Sequence, residues 1–272
     1  MKTRKLIVAS FLCSVASMTT LMACGSKTNK SDMEENNKEV SLTWIEDKPG
    51  PSVNDCGLFP EVPDSIWKAL GLENGVPSSM SCFLVQTDGK NILFDTGLGA
   101  PFSQLPSKLS EKGLTPDSIG YIFLTHLHGD HIGGMMKDGE IVFPNAQVYV
   151  NRTEAEAWKN MPDGKGDQAT AILDAYKDRL HQFEAGDTLD CEIISIPAYG
   201  HTPGHTVFQI DSILIAGDIM HGVALQTQYP EYCARYDMDK DAAIEARKRI
   251  LQYAADNSLT LVGMHFPPAT KE

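Results

Sequence analysis

Residues 125–134 read THLHGDHIGG, which puts His126, His128, Asp130 and His131 within six positions of one another. A single histidine is usually an ordinary surface or core residue, but three of them beside an aspartate form a metal-ligand pattern. In extended chain, side chains two apart face the same side, so His126 and His128 can both reach one ion at about 2.0–2.1 Å. Asp130 and His131 then fall where the chain must turn, and Gly129, Gly133 and Gly134 are expected to relax the backbone and aim them at a neighbouring ion. Three further candidates stand at or just beyond apolar, strand-like runs: His201 in YGHTPGH, Asp218 in ILIAGD and His265 in LVGMH. Imidazoles and carboxylates are ligands for divalent cations, and such cations activate water and polarise carbonyl or phosphoryl oxygens. The chemistry expected of this set is therefore metal-assisted hydrolysis.

These side chains need elements to carry them. SCFLVQT and NILFDTG flank Asp88 and Gly89, which predicts two strands around a hairpin turn. Helix and strand signals then alternate. A helix is expected over 103–112, a strand over 121–124 and another over 146–150, then a helix capped by Thr153 and running through Trp158. A further helix is expected over 168–180, with strands at 192–197, 206–210 and 213–216. Asp239 is expected to cap a long amphipathic helix reaching about Ala255, with Ile244, Ile250, Leu251 and Ala254 near one face and Glu245 paired to Arg249 on the other. One last buried strand is expected over 259–264. Hairpins first and strand–helix alternation after predict an α/β sandwich.

The chain has 272 residues and a formal net charge of −13. That balance excludes the basic footprint that phosphate backbones require, so nucleic acid is not an expected partner. Lys2, Arg4 and Lys5 precede an apolar run from Leu6 to about Val15, then LMAC ending at Cys24. The run is too short to span a bilayer and reads as an export signal, residues 1–23, resembling that of bacterial lipoproteins with lipidation at Cys24. Residues 24–39 are expected to be a flexible tether and residues 40–272 one folded domain. The expected location is the bacterial cell envelope, with membrane attachment through the N-terminal lipid; oligomeric state is not legible. Export makes disulfides chemically possible. Cys82 and Cys191 lie in strand-like runs and read as core, which leaves Cys56 and Cys233 as the pair if one forms.

The H-x-H-x-D-H motif, followed by separate His, Asp and His positions, resembles the metallo-β-lactamase superfamily over nearly all of residues 40–267. The resemblance implies a four-layer αββα sandwich of two mixed sheets flanked by helices. It also implies that His126, His128 and His201 bind one ion, that Asp130, His131 and His265 bind a second, and that Asp218 bridges them. The stretch AGDIMHGVALQTQYPE, the helix after it and LVGMHFP look most like the methyl-parathion-hydrolase branch, related to the quorum-quenching lactonases. Asp218 stands where the di-zinc β-lactamases carry a cysteine, which disfavours β-lactam selectivity. His128 departs from the flavodiiron pattern, and a single-iron sulfur dioxygenase would not need His131 and His265. Relatives usually continue past the final histidine with short strands, where this sequence stops at Glu272.

The resemblance further implies a dinuclear hydrolase that uses a bridging hydroxide to cleave an ester, lactone or phosphotriester. Asp130 would orient the nucleophile and return a proton to the leaving group. Two divalent ions are expected; zinc suits the N/O ligand set best, and manganese, cobalt or iron would also be held. Asp95 in LFDTG and His205 are expected to hydrogen-bond or pack behind the ligands. His221 is expected to face substrate, since the related lactonases carry a tyrosine about there. His181 is placed on the surface. Trp44, Phe59, Trp67, Phe102, Tyr229 and Tyr232 are offered to the mouth, favouring a neutral or apolar small-molecule substrate. No Arg/Lys cluster accompanies the motifs, which lowers the glyoxalase-II-like thioesterase and nuclease alternatives. A β-lactam hydrolase and a metal-containing surface binding lipoprotein complete the alternatives.

Overall fold

In SCFLVQT the side chains alternate between two apolar surroundings: Cys82 and Leu84 enter one cluster, Phe83 and Val85 another. A strand buried on both faces belongs at the centre of a layered fold. The computed structural model describes residues 39–268; the expected signal segment 1–23, Cys24 and the tether up to residue 38 lie outside them.

In chain order the strands are β1 (Val40–Glu46), β2 (Ser52–Asn54), β3 (Val76–Ser78), β4 (Ser81–Thr87), β5 (Lys90–Phe94), β6 (Tyr121–Phe123) and β7 (Met136–Lys137). They continue with β8 (Glu140–Ile141), β9 (Gln147–Asn151), β10 (Leu180–Phe183), β11 (Ile194–Pro197), β12 (Thr206–Ile210), β13 (Ile213–Ile215) and β14 (Thr260–Val262). The helices are α1 (Asp64–Leu70), α2 (Leu105–Glu111), α3 (Gly129–Ile132), α4 (Arg152–Lys159), α5 (Asp167–Ala175), α6 (Val223–Gln226) and α7 (Lys240–Asp256).

One mixed sheet has the order β1-β4-β5-β6-β9-β10, antiparallel at its β1 side and parallel from β5 onward. The second, β11-β12-β13-β14, is mixed too. Between them lies an aromatic core in which Phe123 stacks on Tyr149 at 4.5 Å and meets Phe208 of the other sheet edge-on at 5.5 Å. Burying a side chain of this kind stabilises the fold by roughly 1.5–3 kcal/mol. Outside the first sheet, Leu109 of α2, Trp158 of α4 and Ile172 of α5 cover Leu84, Leu93 and Ile122. Outside the second, Ala246, Ile250 and Ala254 of α7 cover Val207 and Leu214. The four expected layers are therefore present.

Several local expectations are corrected. Asn151, not Thr153, caps α4: its side chain accepts from the backbone N–H of Thr153 and Glu154. The helix expected over 168–180 stops at Ala175, and after a 3-10 turn the chain becomes edge strand β10, paired parallel to β9. A short strand next to a helix carries too few residues for its period to show. Asp239 caps α7 as expected, but Glu245 lies by Lys248 at 3.8 Å while Arg249 donates to the Pro197 carbonyl. The buried stripe of α7 is Ala243, Ala246, Arg247, Ile250 and Ala254, so a guanidinium lies where only aliphatic side chains were expected. Cys191 is buried but sits in a tight turn at φ 61° rather than in a strand. Cys56 and Cys233 do not pair: their thiols lie by the carbonyls of Leu72 and Lys240, and none of the four cysteines among the described residues forms a disulfide.

Candidate metal centre

All seven expected ligands converge at one end of the interface between the two sheets. His126 and His128 follow β6, and α3 starts directly afterwards with Asp130 and His131 in its single turn. Gly133 and Gly134 have a different reason from the one expected. Gly133 has ordinary right-handed backbone angles, and what is critical is proximity: a Cβ would lie 2.1 Å from the Leu98 carbonyl at Gly133 and 2.1 Å from that of Thr96 at Gly134. From the second sheet come His201 in the β11–β12 loop, Asp218 after β13 and His265 after β14.

Three imidazole nitrogens crowd one point. His128 Nδ1 lies 2.9 Å from His126 Nε2 and 3.0 Å from His201 Nε2. Burial together with neighbouring imidazoles, His131 beside His126 and His201 beside His128, lowers the pKa of both, that of His128 to about 3. Both rings are then neutral at pH 7, with lone pairs available to a cation. The remaining ligands gather around carboxylates. Asp218 Oδ2 lies 3.1 Å from His265 Nε2, and Asp218 Oδ1 lies 3.2 Å from His131 Nε2. His265 Nε2 also lies 3.4 Å from Asp130 Oδ2. Burial opposes charge on His265, yet Asp218 and Asp130 overcome it and hold the ring at about 10. His131 is raised likewise, by Asp218 and Asp95 against burial.

A cation fits this donor set. His131 Nε2 and Asp218 Oδ1 are buried without a hydrogen-bond partner, a costly state that a shared positive ion relieves. The donor atoms of His126, His128, His201 and Asp218 lie within 4.8 Å of one another, as do those of Asp130, His131 and His265.

Asp95, expected behind the ligands, accepts from Thr125 N and Thr125 Oγ1, each at 2.8 Å, and from His131 Nδ1 at 2.7 Å. The His131 ring is thereby turned so that Nε2 faces the cluster. His205 donates from Nδ1 to the Ala198 carbonyl and accepts at Nε2 from the Asp218 backbone N–H at 2.9 Å. With both ring nitrogens engaged in hydrogen bonds, His205 anchors the Asp218 turn. His181 is exposed and hydrogen-bonds Gln147.

His221 lies deeper than expected. It lines the cavity, but it is only 2 % exposed, stacks on His265 at 5.0 Å, and places Nε2 at 3.2 Å from Asp218 Oδ2. The cavity, of about 380 Å³, is walled by Lys48, Ser52, Val53, Asn54, Met80 and Tyr236 beside the ligands. None of the six aromatic residues offered to the mouth lines it. Phe59, Trp67, Tyr229 and Tyr232 pack together in a cluster of their own, and Trp44 packs edge-on against Phe83. Large rings gain more from full burial than from lining a wet opening.

Four supporting residues escaped the sequence reading. Asp237 accepts from His201 Nδ1 at 3.0 Å and from Arg247 Nη2 at 3.1 Å; Arg247, 1 % exposed, also donates from Nε to the Ile219 carbonyl next to Asp218. Glu154, fully buried, bonds the loops on either side of the cluster. Ser79 accepts through its carbonyl from His265 Nδ1 at 3.0 Å. Outside a motif, Asp, Glu, Arg and Ser read as solvated surface, and only burial reveals them.

Comparison with known proteins bears on this arrangement. The sequence model of the metallo-beta-lactamase superfamily matches residues 75–259. Over 84 % of its length the chain superposes on 88 % of the hydrolase AbOPH of the beta lactamase superfamily, with a TM-score of 0.75 and 30 % identity. AidC, a dizinc quorum-quenching lactonase solved with a product, also gives a TM-score of 0.75, at 27 % identity over 85 % of this chain and 89 % of that one. YobT of Bacillus subtilis, itself uncharacterized, is 25 % identical over 159 residues, which are 55 % of this chain and 66 % of that protein. The chain thus spans two thirds or less of the length of the curated relatives it matches. With two sheets, flanking helices and the histidine and aspartate cluster on one shared frame, the chain belongs to the metallo-beta-lactamase superfamily.

Proposed function

We propose that the chain hydrolyses a lactone or a related ester or phosphotriester at a dinuclear centre. In this reading His126, His128 and His201 hold one divalent cation, Asp130, His131 and His265 hold the second, and Asp218 is shared. The observation that carries it is the reach of Asp218, whose Oδ1 faces His131 while Oδ2 faces both His265 and His201, the latter at 3.5 Å. Zinc is the proposed metal, from the N/O ligand set and the likeness to a dizinc lactonase. Bound divalent cations supply an acidified water and polarise the oxygen of the scissile group.

The protein's own groups do the rest. Asp130, a quarter exposed at its side chain, stands between the cavity and His265, where a carboxylate can take a proton from the nucleophile and return it to the leaving oxygen. His221 and Asn54 form one wall together, because Asn54 Nδ2 donates to the His221 carbonyl at 2.7 Å. Val53, Met80 and Tyr236 offer apolar contact, with Lys48 the cation among the lining residues, which suits a small neutral substrate better than a polyanion.

The test is to strip the protein with chelator, reload it with Zn²⁺, and assay lactones, aryl esters, phosphotriesters and β-lactams. We expect close to two ions per chain, turnover of a lactone or ester, and loss of turnover on chelation. Full activity at one ion per chain would defeat the dinuclear reading, and inactivity toward every class would defeat hydrolysis of these bonds.

A further inference from the structure

We infer that Glu154 is a positioning residue, whose carboxylate locks the His126–His128 strand end to the His201 loop at the spacing required by one cation site. This rests on reading the cluster as a metal centre. Glu154 lies in the first turn of α4 and is fully buried, yet among the described residues it faces no cationic side chain. Four donors meet its two oxygens. Oε1 accepts from Leu127 N at 3.0 Å and from Trp158 Nε1 at 2.6 Å, and Oε2 accepts from Thr202 Oγ1 at 2.8 Å and from Gly204 N at 2.7 Å.

The placement of those donors matters more than their number. Leu127 stands between His126 and His128, and Thr202 follows His201, so one carboxylate joins both stretches that supply the three converging nitrogens. The stretches come from different sheets. Gly204 is pressed so close that a Cβ there would lie 2.3 Å from Glu154 N, which seats the His201 loop on the start of α4. Trp158, fixed by Oε1, in turn meets His128 edge-on at 5.3 Å.

A buried carboxylate is costly unless its lone pairs are used, and here each oxygen accepts two bonds. An amide cannot replace it: glutamine would turn an NH₂ toward two donors and leave them unmet. Packing of α4 does not require the acid, since Ala155 and Trp158 already fill the core there. What the acid adds is a fixed distance between two ligand-bearing segments.

The test is Zn²⁺ affinity, by competition with a chromophoric chelator, for Glu154→Gln in a His265→Ala background that leaves the His126, His128 and His201 set intact. Co²⁺ absorption gives a second reading of the same site. We expect affinity to fall about 10- to 100-fold, as when groups supporting metal ligands are removed. We also expect the rise in melting temperature on adding Zn²⁺ to shrink relative to the His265→Ala parent. Should Glu154→Gln not fold, Thr202→Val removes one donor to Oε2 and is expected to weaken Zn²⁺ in the same direction by less. Unchanged affinity, with equal loss of melting temperature in the metal-free and loaded forms, would make Glu154 fold glue and overturn the inference. If the unmutated chain binds two ions while these variants keep their affinity, the inference alone falls. If the unmutated chain binds no Zn²⁺, the metal-centre reading falls with it.

Discussion

His126 and His128 are surrounded by other imidazoles, whereas His131 and His265 are surrounded by carboxylates, although all four rings lie within one cluster. Their protons follow this difference. Burial and neighbouring rings keep the first pair neutral, while Asp218, Asp95 and Asp130 overcome burial and keep the second pair charged. The first half is therefore ready for a cation at neutral pH, and the second must release protons to accept one. Asp218 belongs to both halves, with Oδ1 toward His131 and Oδ2 toward His201 and His265. In the proposed dinuclear reading, one buried site would offer two cation positions of different proton dependence.

The largest expected effect comes from removing what the halves share. Asp218→Ala should lose at least one ion and fall by about 10² or more in kcat, since the carboxylate that offsets two like charges is gone. His265→Ala should weaken the second ion alone and leave residual turnover. Metal analysis with steady-state kinetics on both variants checks this, and an Asp218→Ala protein with full metal content and near-normal kcat would break the comparison.

The proton difference makes a second prediction, for the protein in chelator. His265 has a folded pKa of about 10 against an ordinary 6.5, so its contribution is complete below about 6.5 and is lost as pH rises through 10. His128, lowered to about 3, acts in the opposite range, because below about 6.5 the unfolded chain binds a proton that the folded ring does not. The metal-free melting temperature should therefore fall on both sides of neutrality. Bound Zn²⁺ should abolish the alkaline fall, because the metal replaces the proton on the second pair. Thermal unfolding from pH 5 to 10, with and without Zn²⁺, reads this; a metal-free midpoint that rises toward pH 10 would sink it.

The smallest expected effect lies outside both halves. Asp239 caps α7 by accepting from Ala242 N at 3.0 Å, and Asp239→Ala should cost about 1 kcal/mol of stability. Since α7 carries Arg247, which reaches the site through Asp237, the comparison is sharpened if both zinc affinities stay unchanged. A selective loss at the His201 site would show that the helix start, as well as Arg247, governs ligand placement.

The sequence by itself determined the candidate ligand types and, at residues 125–134, their local spacing, because strand alternation and a following turn act over a few residues. It also carried the layer pattern, since a strand such as SCFLVQT must bury both faces. The short edge strand β10 and the inward turn of His221 depended on neighbours far along the chain, whereas the Asn151 cap is local, two and three residues from the N–H groups it meets. Glu154, Asp237 and Arg247 show why tertiary structure was needed. In the sequence each is a charged residue that water would ordinarily solvate, whereas in the fold each is buried, and its hydrogen bonds run to segments that only close packing of the two sheets brings together.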